Sequence, residues 1–376
     1  MRKRSWGYVG LFVAILPLLV LGRAYQSAPR SFSWTPASVL DSPSMMVMGF
    51  APNGHILSAH SDEQLRDWDV IAGQAPKTKP LSPFLREGSF AQLPVFSRDG
   101  KWGAAQDHNR VLVWDVQTGR QAAIVNVSAP LNSFELDFSA DGKKLAVAGE
   151  TLASASDPIY KRLPSTTPRG FVEVLNWSTN SVLWSKPIAS PINSVSWADN
   201  GDLAVAGGVL VSDPSTSSAY DRGGVVEVWN PALNKRLMRT TSKSHIVAVV
   251  FSPDAKSVVA SQSFYGTNVF NARTGALKFV LKCPVSGRHG RTVNASPQID
   301  QLRVSGDSRY VAGSGERGRR GVKLWRLSNG QFMDSYSAIG AASEPYDDAF
   351  ALSVDGNSLA VASSARHQLT VYPLPK

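Results

Sequence analysis

A five-residue phrase recurs seven times along the chain: an apolar residue, two small or polar residues, an acidic or amide residue, then usually glycine. The copies begin at Phe50 (FAPNG), Phe96 (FSRDG), Phe138 (FSADG), Trp197 (WADNG), Phe251 (FSPDA), Val304 (VSGDS) and Leu352 (LSVDG). Asp-Gly and Asn-Gly tolerate positive φ, so each copy predicts a tight hairpin between two strands. A short run of small apolar residues follows, such as LAVAG from Leu145, LAVAG from Leu203 and LAVAS from Leu359. Such runs lack polar alternation, as expected of a strand covered on both faces. An alternating strand comes next and finishes on a large side chain: Trp68, Trp114, Leu175, Trp229, Phe270, Trp325 or Tyr372. Further hairpin signals at Ala72-Gly73, Thr118-Gly119, Thr274-Gly275 and Asn329-Gly330 predict a fourth strand in the unit.

Four-strand units returning every ~42–59 residues exclude helical solenoids. A lone sheet of this kind has two apolar faces and cannot bury both. Sheets stacked around an axis bury both, so the sequence predicts an all-β, seven-bladed propeller of four-stranded antiparallel blades over residues 31–376. The last unit stops after its third strand, at residues 368–373. The segment RSFSW from Arg30, ahead of the first phrase, is expected to supply the missing outer strand and latch the ring.

The phrase, together with the Trp-Asp endings at 68–69 and 114–115, resembles the WD-repeat (WD40-type) β-propeller family. The resemblance covers nearly all of the chain from Ser31 onward. It implies a fold and says little about an activity. Many such repeats carry a Gly-His dipeptide and a His–Ser/Thr–Asp–Trp hydrogen-bond network. Here Gly-His is missing, Asp62 stands at the family's offset from Trp68, and Asp107 lies one residue off from Trp114. A divergent propeller held mainly by apolar packing is therefore expected, with its Trp residues in the core.

Residues 1–30 form a separate segment. Arg2, Lys3 and Arg4 precede an uncharged run from Ser5 to Gly22, which Arg23 ends. As a helix this run spans about 27 Å, close to a bilayer's hydrocarbon core. It fits a single-pass anchor or a cleaved signal peptide; Gly22-Arg23-Ala24 offers small residues for cleavage. The anchor is the preferred reading. The basic cluster holds the N-terminus in the cytoplasm, so either reading puts the propeller on the extracytoplasmic side, membrane-bound or released. A single cysteine, Cys283, excludes an internal disulfide framework and a multi-Cys metal site.

Function is expected in the loops. Connections between second and third strands share one rim with connections between blades. The long insertions fall there, at residues 150–169, 208–223, 283–301 and 334–348. The first two match each other, with Ser156-Asp-Pro and Tyr160 in one and Ser212-Asp-Pro and Tyr220 in the other. Each ends in Arg-Gly, at Arg169 and Arg222. The formal charge of +10 falls to +7 when Arg2, Lys3 and Arg4 are set aside, and basic residues cluster late, at Arg288, Arg291, Arg317, Arg319 and Arg320. With Tyr160, Arg162, Arg169, Tyr220 and Arg222, these are the candidate binding residues. The partners expected of them are a protein or an anionic envelope component, with the membrane reached through residues 5–22. Nucleic acid is not expected, because no stacking motif accompanies the arginines.

Catalytic patterns are missing: no HExxH, GxSxG or Walker-type loop occurs, and the six histidines are scattered. No metal or other cofactor is expected. The sequence thus predicts a non-catalytic interaction platform. Two alternatives remain: a propeller enzyme of lyase, lactonase or quinone-dependent type, with its site at the ring axis, and a structural envelope component. Carboxylates scattered near the axis would build a site that spacing alone does not reveal.

Overall fold

A computed structural model describes residues 29–33, 45–60, 64–70, 72–73, 76–80, 94–151, 169–213, 218–263, 265–286, 292–315, 321–337, 349–363 and 367–375. Among these every regular element is a strand. Seven four-stranded antiparallel sheets form, together with one two-stranded hairpin. The N-terminal helix expected over residues 5–22 lies outside the described residues, and no described helix is long and apolar enough to cross a membrane.

Blades 1 to 7 begin with the innermost strands Met45–Phe50, Val95–Phe96, Leu131–Phe138, Ser194–Trp197, Ile246–Phe251, Gln301–Val304 and Ala349–Leu352. Each phrase residue ends its innermost strand. In five blades the turn after it is the same device. The serine following the phrase residue donates to the aspartate two residues on, at 2.6 Å in Ser97–Asp99 and 2.7 Å in Ser252–Asp254. That serine also accepts the N–H that opens the second strand, as from Trp102 at 2.9 Å. The residue after the aspartate has positive φ: 69° at Gly100 and 67° at Gly142. Ala255 and Ser308 hold the same conformation at 58° and 61° without glycine's freedom.

Seven apolar clusters account for the ring. Each lies between two neighbouring blades, as where Val47, Leu57 and Leu65 of blade 1 meet Ala105, Leu112 and Trp114 of blade 2. The large ring ending each third strand faces the preceding blade: Trp229 packs with blade 3 residues and Trp325 with blade 5 residues. Trp68 of blade 1 packs against Ala349, Ala351 and Ala360 of blade 7, so the stacking closes on itself. In blade 3, Leu175 fills the shared position, while Trp177 lies 4.6 Å from Trp102, ring centre to ring centre.

The latch forms as the sequence predicts. Arg30–Ser33 pairs antiparallel with Gln368–Pro373, Arg30 opposite Val371 and Ser33 opposite Gln368. The hydroxyls of Ser31 and Thr370 lie 3.2 Å apart across the pair. Indole N–H partners differ from blade to blade: Ser58 for Trp68, Gly142 O for Trp177, Glu227 for Trp229 and Lys282 O for Trp325. Blade 1 keeps a buried chain from Trp68 through Ser58 to His60, with 2.8 Å steps. Among the described residues the indole N–H therefore has no common partner from blade to blade. Apolar burial on both faces is common to all seven blades.

Candidate functional site

Two places compete for function, the rim of long connections and the ring axis. Four antiparallel strands put the phrase turns on one rim and the second-to-third and between-blade connections on the other. Hydrogen bonds confirm the sharing: Ser263 N donates to His245 O at 3.1 Å, and Asn109 Nδ2 donates to Val127 O at 3.2 Å.

Two of the insertions are built structure rather than plain loop. The segment read as a loop over 208–223 extends two strands of blade 4, Leu203–Asp213 and Ser218–Asn230, so that Asp213 pairs with Ser218. The apolar, partly β-branched run Val209-Leu210-Val211 suits a strand, and the ladder continues past Gly207-Gly208. Those glycines lie where any Cβ would strike the backbone of Pro191 or His245. Within 283–301, Cys283–Ser286 and Thr292–Ala295 form the separate two-stranded hairpin.

Of the ten candidate binding residues, only Arg169 has a described side chain. It stands at the start of the third strand of blade 3, its N–H donating to Ile188 O at 3.1 Å and its carbonyl accepting from Thr151 N at 2.9 Å. Tyr220 and Arg222 lie on the backbone of the blade 4 hairpin, Tyr220 opposite Val211. Tyr160, Arg162, Arg288, Arg291, Arg317, Arg319 and Arg320 lie outside the described residues, so the basic patch is not assembled or broken up by the geometry.

The axis holds the charged site that the motif search missed. A channel of about 310 Å³ runs between the seven innermost strands. Strand pairing aligns these strands residue for residue. One step before the phrase residue, a single layer collects Gly49, Val95, Asp137, Ser196, Val250, Arg303 and Ala351. Two steps further from the turns stands Glu135. Thus Asp137 and Glu135 project from blade 3, and Arg303 projects at the level of Asp137 from blade 6.

Each charge has few partners. Asp137 Oδ2 accepts from Trp197 N at 2.8 Å, tying blade 3 to blade 4. Ser196 makes the equivalent bond one blade on, accepting from Phe251 N at 3.0 Å. Arg303 donates one bond, from Nη1 to its neighbour's carbonyl, Leu302 O, at 2.8 Å. Glu135 makes no hydrogen bond among the described residues, and no nitrogen of Arg303 comes within 4.0 Å of either carboxyl.

Glu135, Asp137 and Arg303 are half-buried in this channel, and partial loss of water sets the titration. Loss of water pushes Glu135 up from 4.5 to about 7; Arg303 opposes this and the neighbouring Asp137 adds to it. Asp137 rises from 3.8 to about 6, again through burial, against the bond from Trp197 and the charges of Arg98 and Arg303. Burial lowers Arg303, while both carboxyls oppose that shift. At the phrase-turn mouth, Arg98 of blade 2 lines the channel and pairs with Asp199, which follows the innermost strand of blade 4. Chemically, the channel offers Arg303 on one side and two carboxyls that exchange protons near neutrality on the other; the remaining charges on its wall already have partners, Arg98 with Asp199 and Asp300 with Gln298.

Large apolar side chains on the outer strands are exposed at Ile124, at Val182 and Leu183, and at Leu277, on three different blades. Among the described residues, no group of three or more His, Cys, Asp or Glu is placed to hold a metal ion. No protein-family model matches the chain, and no curated protein is similar to it.

Proposed function

We propose that this chain is a membrane-tethered, outward-facing, divergent WD-repeat-type propeller that binds a protein or an anionic envelope component without catalysis, through the rim of long connections. The carrying observation is the contrast between rims. The phrase turns are short, and five of them are internally tied by the same Ser–Asp hydrogen bonds, while the opposite rim bears the insertions and two projecting hairpins. Long, varied connections carried on a rigid scaffold suit recognition. The basic run before residues 5–22 and the surplus positive charge support the tether and an acidic or anionic partner.

The test is a crosslinked pull-down of the full chain from membranes, repeated after changing Arg317, Arg319 and Arg320 to Ala. Loss of specific partners from the variant supports the reading; recovery at unchanged yield removes the basic rim from it. The axial carboxyls favour one second reading, a propeller enzyme, because a carboxyl titrating near neutrality suits acid–base work. Turnover of a lactone or ester panel that disappears in Glu135→Gln would select that reading.

A further inference from the structure

We infer that the axial channel is a binding site for a small zwitterion, a molecule with an ammonium at one end and a carboxylate at the other, held between Arg303 of blade 6 and the carboxyls Glu135 and Asp137 of blade 3. This site is separate from the rim reading and stands without it.

The first argument is where the charges stand. The other positions in the layer of Asp137 and Arg303 are Gly49, Val95, Ser196, Val250 and Ala351, so uncharged residues suffice to build the ring. Ser196 shows that a hydroxyl is enough for the inter-blade bond that Asp137 makes. A carboxylate is therefore not needed as a staple. Glu135 staples nothing at all.

The second argument is the gap. A buried ion pair built for structure closes to contact, since separated charges in an enclosed space lose hydration without recovering it. Here the guanidinium and the carboxyls face into one cavity and remain more than 4.0 Å apart. Arg303 uses one N–H on Leu302 O and has no other acceptor among the described residues. Its planar fork is left for an oxyanion, which it would hold by two parallel bonds. Ala351 and Gly49, the next two positions around the layer from Arg303, are both small residues.

The third argument is charge balance. An anion alone would answer Arg303 and repel ionised Glu135 and Asp137. A cation alone would answer the carboxyls and meet Arg303 across the channel. A ligand carrying both charges answers both poles, and its ammonium would return the carboxyls to the ionised state.

The probe is a ladder of ω-amino acids from glycine to 6-aminohexanoate, titrated calorimetrically at pH 7 into the full chain in mild detergent. The matched half-molecules, butanoate and butylamine, serve as controls. One chain length is expected to bind one-to-one, at least about tenfold more tightly than either half-molecule. Glu135→Gln and Arg303→Lys are each expected to weaken that ligand about tenfold. No heat from any member at about 10 mM would overturn the proposal. So would equal binding of the best member and butanoate, which marks a plain anion site, or of that member and butylamine, which marks a plain cation site. If both variants fail to fold, comparison of whole and half ligands on the unaltered chain still decides.

Discussion

Glu135 makes folding stability fall with rising pH, and replacing it with glutamine should flatten that fall. Its folded carboxyl titrates at about 7 against an ordinary 4.5, because the channel strips much of its water; Arg303 opposes the rise and Asp137 adds to it, while Arg98 and Asp300 are the other charges lining the channel. The folded chain then keeps a proton that the unfolded chain has lost. Stability from this group is complete below pH 4.5, declines as pH climbs towards 7, and is flat above. A gap of about 2.5 units is worth about 3 kcal/mol. Asp137, raised to about 6, contributes in the same direction between 3.8 and 6, although the two carboxyls are coupled and their effects do not simply add. Unfolding entropy of about 2.1 cal/mol/K per residue gives a propeller of this size about 0.7 kcal/mol/K. Three kcal/mol is therefore about 4 °C. Glu135→Gln should melt about 4 °C above the unaltered chain at pH 8 and within about 1 °C of it at pH 4.5, followed by tryptophan fluorescence. Melting curves of the two proteins that shift in parallel across this range would refute the reasoning.

Three further outcomes follow from the packing. Gly103 stands where blades 1, 3 and 4 carry Ile56, Leu145 and Leu203, and a Cβ there would lie 2.2 Å from the indole of Trp114. Gly103→Ala should cost about 1–3 kcal/mol and change the emission of Trp114, measured by denaturant titration. Glu227 accepts the Trp229 indole N–H at 2.8 Å and pairs with Arg236 and Arg239 at 3.1 Å. Those arginines are half exposed and can turn to water, so Glu227→Ala should cost about 1–3 kcal/mol for the stranded indole, and Glu227→Gln clearly less. Deleting residues 30–33 uncovers the edge of Gln368–Pro373, and light scattering should then show concentration-dependent self-association that the intact chain lacks.

The ring was legible because its signals are local. The Ser–x–Asp–Gly turn closes over five residues, and the runs after it are apolar without alternation, so turn and buried strand can be read at every copy. Even the latch followed from counting strands. The blade 4 hairpin was hidden because Gly207-Gly208 and Ser212-Asp-Pro look like loop, although pairing carries through them. Trp177 escaped because it stands two residues past the expected position, where it packs on the neighbouring blade's Trp102. The axial charges were out of reach for a different reason. Glu135 and Asp137 lie in FELDF and Arg303 in QLRV, far apart in the chain and in no motif. Only superposing the seven innermost strands on their phrase residues puts Asp137 and Arg303 in one layer, and that operation was available from the sequence.

The outer strand of blade 7 comes from the start of the chain, and Ser31 meets Thr370 across 339 residues. At about 5–20 residues per second, a ribosome needs roughly 15–70 s to deliver the second half of that pair after the first. During that interval six blades can form while the circle stays broken, with Arg30–Ser33 waiting unpaired. Closure is then the last event of biogenesis, so a nascent chain stalled in its seventh repeat would present a raw seam to chaperones and proteases.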